Sequence, residues 1–430
     1  MTRRKIGVAL AGGGPLGAIW ELGALCALDE ALIGLDLTDC DVFVGVSAGA
    51  FVAAGLANRL SPKTMRDILI EREGIDNPLE PELLLQPAVG EYLSRVGSLP
   101  RLVAKATRRY FAAPQSRGLV EAFQELARAL PTGLFNNAPI GDYLVRLLSD
   151  PELSNDFRTL PRQLFVVATD LDTNETVAFG APGWDDVPIS RAVQASTALP
   201  GLYPPVEIHG HYFVDGALMK TLHASIALRE GATLLICVNP LVPFDSVAAA
   251  HRSHRKPASI VEWGLPAVLS QTFRSIIYSR MQVALSGYGR DFPNADVLLF
   301  EPRRDDAEMF FTNIFSYADR HSLSEHAYQA TRADLRNRFD ELAPIFARHG
   351  VELDRSVLAD PARTLAASGI QFSSQDAKAL SQATSHLRQT LDALDHCLSG
   401  VGTAHRSKTK RSPKQASAPL PDSSAPRGAA

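Results

Sequence analysis

The sequence predicts an α/β fold built on a mainly parallel sheet, and three observations predict it. A short apolar run, Lys5 to Ala11, leads straight into Gly12-Gly13-Gly14-Pro15-Leu16-Gly17. A second apolar run, Asp41 to Val46, leads into Gly45-x-Ser47-x-Gly49. Between them, Ala18 to Leu32 has helical spacing, with Ile19, Leu22, Leu25, Cys26 and Leu28 on one face. Strand, glycine loop, helix, strand, serine turn and helix make the start of a βαβ unit. Uninterrupted apolar runs suit strands covered on both faces.

The remaining elements extend this pattern. Ser61 to Leu148 reads as mostly helical, broken at Pro78, Pro81, Pro87, Pro100, Pro114 and Pro131. Within it Arg101, Lys105, Arg108 and Arg109 alternate with apolar residues, which suits a solvated face better than a headgroup contact. Leu164 to Thr169 and Thr176 to Gly180 read as a hairpin whose polar turn holds Asp170. Ser190 to Leu199 is a short helix stopped by Pro200-Gly201. Val206 to Ile208 and Tyr212 to Val214 form a hairpin around Gly210, and its second arm ends at Asp215-Gly216-Ala217. Thr233 to Val238 and Asp296 to Phe300 are further strands, separated by a helical insertion at 247–285. Leu323 to Phe346 is a charged periodic helix. The expected division is a catalytic domain over 1–348 with helical insertions at 61–148 and 247–285, a helical appendix over 349–400, and a tail over 401–430. That tail is too poor in large apolar residues to fold.

Composition narrows the class. With 46% hydrophobic and 21% charged residues over 430 positions, the chain is an ordinary globular one. Its net charge of -4 argues against a general nucleic-acid binder. Cys26, Cys40, Cys237 and Cys397 have neither metal-ligand nor disulfide spacing, which points to a reducing compartment and to no metal. The basic start, Arg3-Arg4-Lys5, precedes an apolar run too short for a leader, and no run reaches about 18 apolar residues. A cytoplasmic chain follows, at most peripheral to a membrane or lipid surface. The candidate for such a contact is the 247–285 insertion. It opens with His251, Arg252, His254, Arg255 and Lys256, and continues with Trp263, Leu265, Val268, Leu269, Phe273, Ile276, Ile277 and Met281. Packing on the core or at an oligomer interface would use the same residues.

The chemistry lies in the two glycine-flanked turns. Gly12-x-Gly14-x-x-Gly17 matches a dinucleotide fingerprint, but the second strand ends at Ser47 rather than at an acid. No Gly-Lys-Ser/Thr follows, which excludes a phosphate-binding P-loop. Consecutive glycines also suit an oxyanion hole, with donors from Gly12, Gly13 and Gly14, since Pro15 has no N–H. Gly45-x-Ser47-x-Gly49 is the nucleophile-elbow pattern. A helix after it turns its positive end toward the serine. Serine needs a base. His209 and His211 flank a hairpin turn, and His321 and His326 lie near the C-terminal helix, so none is a natural partner. Asp215, at a strand end before Gly216, is placed to serve, although a capping role would also explain it.

Four stretches together resemble the patatin-like phospholipase family. They are GGGPLG (Gly12 to Gly17), GVSAG (Gly45 to Gly49), QASTALPGLYPPVEI (Gln194 to Ile208) and DGA (Asp215 to Ala217), in the family's order. The resemblance covers roughly the first half to two-thirds of the chain. It implies a three-layer α/β/α sandwich and a Ser47–Asp215 dyad without histidine. It also implies a glycine-loop oxyanion hole, and hydrolysis of lipid acyl esters with no cofactor. Leu16 departs from the pattern, standing where the family commonly has Arg or Lys. The alternatives are an idle lipid- or protein-binding module on the same fold and a nucleotide-binding oxidoreductase built on Gly12 to Gly17.

Overall fold

The computed structural model describes residues 4–71, 84–88, 131–253, 259–311 and 317–367. The basic stretch Arg101 to Arg109, the residues His254, Arg255 and Lys256, Cys397, the helical appendix beyond 367 and the expected tail lie outside these residues. The described residues belong to one compact unit, Met1–Gly369.

Its elements, in chain order, begin with β1 (Ile6–Leu10), α1 (Gly14–Ala31), β2 (Leu32–Ile33), β3 (Val42–Val46), α2 (Ala48–Ala57) and α3 (Pro62–Arg66). After α4 (Ala138–Leu147) come β4 (Gln163–Asp170), β5 (Thr176–Phe179), α5 (Ile189–Ser196), β6 (Val206–Ile208), β7 (His211–Asp215), α6 (Ala224–Arg229) and β8 (Leu234–Val238). The last are α7 (Ser246–Ser253), α8 (Gly264–Asp291), β9 (Asp296–Phe300), α9 (Ala307–Phe311), α10 (Tyr317–Asn337), α11 (Phe339–Arg348), β10 (Glu352–Leu353) and α12 (Arg355–Ala359).

The eight-stranded sheet runs β6-β7-β4-β3-β1-β8-β9, with β5 also on β4. Strands β4, β3, β1, β8 and β9 are parallel, whereas β5, β6 and β7 enter antiparallel. Side chains alternate along each strand, so two cores form. Val8, Leu10, Phe43 and Val166 pack under α1, α2, α5 and α10. Ala9, Val44, Phe165 and Cys237 pack under α6 and the Met281 and Tyr288 face of α8. This is the three-layer α/β/α arrangement.

Among the described residues, the insertion expected over 247–285 is two helices, α7 and α8, and α8 runs on to Asp291. Two further boundaries differ. The helix expected from Ala18 starts at Gly14, because Pro15 in a first turn needs no N–H partner. The single helix expected over Leu323 to Phe346 is two, α10 and α11, broken at Arg338. Arg338 there donates to the Leu299 carbonyl at 3.2 Å and pairs with Asp334 and Glu341. Residues 349–367 are integral to the same unit. Leu353 and Glu352 pair with Leu32 and Ile33, and Arg332 of α10 donates to the Val357 and Asp360 carbonyls at 2.7 Å.

Candidate active site

The site forms where two strands meet end to end. Residues Val166 and Val167 of β4 pair with β3 on one edge and with β5 on the other. Ala168 pairs with β5 and with Asp215 of β7. A strand has two edges, so β3 and β7 must share one. β3 stops at Val46, opposite Val167; β7, arriving from the opposite direction, stops at Asp215, opposite Ala168. Ser47 and Asp215 therefore emerge side by side, although 168 residues apart in sequence would allow anything.

Ser47 sits at φ 53°, a left-handed conformation that costs a serine energy and marks a sharp turn. The glycines around it are there for close approach. A Cβ on Gly45 would lie 2.5 Å from the Ala50 Cα, and one on Gly49 2.5 Å from the Ala11 carbonyl oxygen. The elbow is braced by a residue that the sequence reading passed over. The Ser47 N–H donates to the Ser196 hydroxyl at 2.8 Å, and that hydroxyl donates to the Val167 carbonyl at 2.6 Å. Ser196 lay in plain view within QASTALPG, but nothing local distinguishes a bracing serine from a helix-end one.

Asp215 is buried and held in place. Its carboxylate accepts from the Ala217 N–H at 2.8 Å and has the Ser47 hydroxyl beside it, while its own N–H donates to the Ala198 carbonyl at 3.0 Å. Burial pushes its pKa from 3.8 up to about 6, against the pull of the Ser47 and Ala217 hydrogen bonds. A Cβ on Gly216 would lie 2.4 Å from the Val167 carbonyl oxygen, so glycine lets the turn close against β4. His223, another residue absent from the sequence reading, is buried with Nε2 3.4 Å from the Gly216 carbonyl. Burial pushes its pKa down to about 4, so it is neutral and packs under the turn.

The glycine loop runs alongside. A Cβ on Gly12 would come within 3.2 Å of the Ser47 Cβ. The Gly12 N–H is spent on the Thr221 carbonyl at 3.3 Å. Among the described residues, the Gly13 and Gly14 N–H groups take no partner, which leaves them as candidate donors. Gly17 closes the first turn of α1 onto the Gly13 carbonyl at 3.1 Å and faces Pro240. The N-termini of α1 and α2 both open here, adding positive potential where an oxyanion would form.

Among the described residues, no histidine bonds to Ser47 or Asp215. His211 Nδ1 is 2.8 Å from Asp170, and His326 Nε2 is 2.6 Å from Asp306. Asp170 also accepts from the N–H groups of Asp172 and Thr173 at 2.9 and 3.2 Å, so it organises its turn. A cavity of about 760 Å³ lies elsewhere, between α7, the end of β9 and α10.

Comparison with known proteins matches residues 8–228 to the family model for patatin-like phospholipase, a span that holds all of this machinery. An uncharacterized NTE family protein of Mycobacterium tuberculosis is 27% identical over 238 residues, as is one of Mycobacterium bovis. Each match covers 55% of this chain and 30% of the relative, so the chain matches under a third of those proteins' length. Among solved structures, VipD from Legionella pneumophila is similar at 17% identity and TM-score 0.34, over 77% of this chain and 66% of that one. The type III effector ExoU, of Pseudomonas aeruginosa, is similar at 18% identity and TM-score 0.32, over 94% and 66%.

Proposed function

The chain belongs to the patatin-like phospholipase family, and from that premise we propose that it hydrolyses lipid acyl esters with a Ser47–Asp215 dyad. The observation that carries this reading is the abutment of β3 and β7, which pairs a strained serine with a buried carboxylate and no histidine.

The reaction is a two-step acyl transfer. Asp215 takes the Ser47 proton as the hydroxyl oxygen attacks the ester carbonyl carbon. The carbonyl oxygen gains negative charge and accepts from Gly13 and Gly14, supported by the two helix N-termini. The intermediate collapses, the C–O bond to the alcohol breaks, and Asp215 returns the proton to the leaving alkoxide. Water then repeats the sequence on the acyl-enzyme, giving the fatty acid and free Ser47. A carboxylate with a pKa near 6 suits this exchange, since it is ionised at neutral pH yet basic enough to accept a proton. Residues Gly12 and Gly17 shape the loop, Gly45 and Gly49 the elbow, and Gly216 the aspartate turn. No metal or organic cofactor is called for.

Labelling with a fluorophosphonate probe tests the nucleophile. Wild type should be labelled and should release fatty acid from phospholipid or glyceride, and Ser47→Ala should do neither. An unlabelled wild type, or labelling that persists in Ser47→Ala, overturns the proposal.

A further inference from the structure

The outward face of α8 is apolar where a surface helix should be polar. Over its 28 residues α8 buries Ile277, Met281 and Tyr288, the last two against the sheet. Leu265, Leu269, Phe273, Ile276 and Val283 fall on another face, at successive spacings of four, four, three and seven. They are 69%, 46%, 48%, 50% and 71% exposed. Single exposed apolar side chains are normal, but five on one face, a stripe broken only by Arg280, need an occupant. By periodicity alone this insertion reads as one apolar face. The structure divides it, sending Ile277 and Met281 inward and leaving the stripe outside.

We propose that this stripe is where the protein lies on a lipid bilayer, a deduction that rests on the lipid-hydrolase reading above. One further observation selects this occupant: the stripe passes the catalytic turn. Arg280, one turn beyond Ile276, donates to the carbonyls of Leu218 and Met219 at 3.2 and 3.4 Å, three and four residues after Asp215. A lipid held against the stripe therefore lies beside the turn that carries the base. Among the described residues no helix is long and apolar enough to cross a membrane, so the contact lies on the bilayer.

Flotation of the full chain with mixed phosphatidylcholine–phosphatidylglycerol vesicles tests the docking surface, with Leu269→Glu/Phe273→Glu/Ile276→Glu as the variant. A serine triple at the same positions serves if the glutamate variant melts early. Vesicle binding and hydrolysis of vesicle phospholipid should fall by about tenfold or more, because each buried apolar side chain is lost from the contact. Turnover of a soluble short-chain ester should stay within about twofold, as expected for surface changes. Unchanged vesicle binding overturns the proposal. So does a wild-type dimer that the variant dissolves while vesicle binding persists, because the stripe would then serve a second copy. A stripe-dependent flotation by a wild type that no fluorophosphonate labels would leave docking intact and sink the catalytic reading instead.

Discussion

Two aspartates end the two strands of the β4–β7 ladder, one at each end of it, and their surroundings differ. Asp170 ends β4 opposite Phe213, and Asp215 ends β7 opposite Ala168. Both are buried. Burial raises the Asp170 pKa too, but His211 and the N–H groups of Thr173 and Asp172 outweigh it, and the net shift is downward. Asp215 has one N–H, from Ala217, and a neutral hydroxyl, from Ser47, and its pKa rises to about 6. The same residue type at the same kind of strand end becomes a structural anion or, on the proposed mechanism, a base according to what faces it. Donors in number stabilise charge; a hydroxyl in a dry pocket leaves the carboxylate reactive.

Activity should separate the pair most sharply. Asp215→Asn should lower ester hydrolysis by on the order of 10³-fold or more, and Asp215→Asn/Ser47→Ala scarcely further, since dyad members act as a unit. Asp170→Asn should leave turnover within about threefold, as its loss is felt in folding. Equal losses of kcat in the two single variants, both folded, would erase the contrast and the dyad with it.

The glycine loop provides the next largest effect. A Cβ on Gly13 would lie 2.7 Å from the Pro240 Cγ and 2.8 Å from the Gly17 Cα. Gly13→Ala must push the loop off Pro240 and carry a donor with it. A loss of about 10²-fold in kcat is expected, the usual cost of one oxyanion donor. The cause differs from the simple expectation that an added methyl blocks the oxyanion, because the methyl would point into protein. Unchanged kcat in Gly13→Ala would remove this loop from the chemistry.

Stability sharpens the comparison through its sign. Folding raises the Asp215 pKa from 3.8 to about 6, so the folded state binds the extra proton. The stability associated with the protonated form is fully present below pH 3.8 and lost as pH rises through about 6. Asp215→Asn should thus raise stability at pH 7, by up to about 3 kcal/mol, while killing activity. The Asp170 pKa is lowered, so its contribution is present above its unfolded value and lost as pH falls through the folded one. Asp170→Asn should then lower stability at pH 7 by about 1 kcal/mol or more. Urea melts of both variants at pH 7 test the opposed signs. In the same frame, wild-type kcat/KM should rise through pH about 6 and level off above it, as Asp215 ionises.

Local pattern was enough for much of this protein. Apolar runs and turn residues placed β1, β3, β4, β5, β8 and β9, because a strand covered on both faces leaves an unbroken apolar signature. Gly45-x-Ser47-x-Gly49 announced the elbow, because a sharp strand-to-helix turn admits small neighbours only. Other features depended on groups brought together from distant positions. Asp215 and Asp170 look alike in sequence, and the abutment of β3 and β7 on one edge of β4 decided which one meets Ser47. Ser196 braces Ser47 across 149 positions, and no spacing rule reaches that far. The glycine run offered three donors, and Thr221, folded in from the loop before α6, withdrew the one on Gly12. The two apolar faces of α8 were written into its residues, but only packing against the sheet determined which became core and which stayed outside. Periodicity records which side chains share a face; whether that face meets protein, water or lipid depends on what the rest of the chain brings to it.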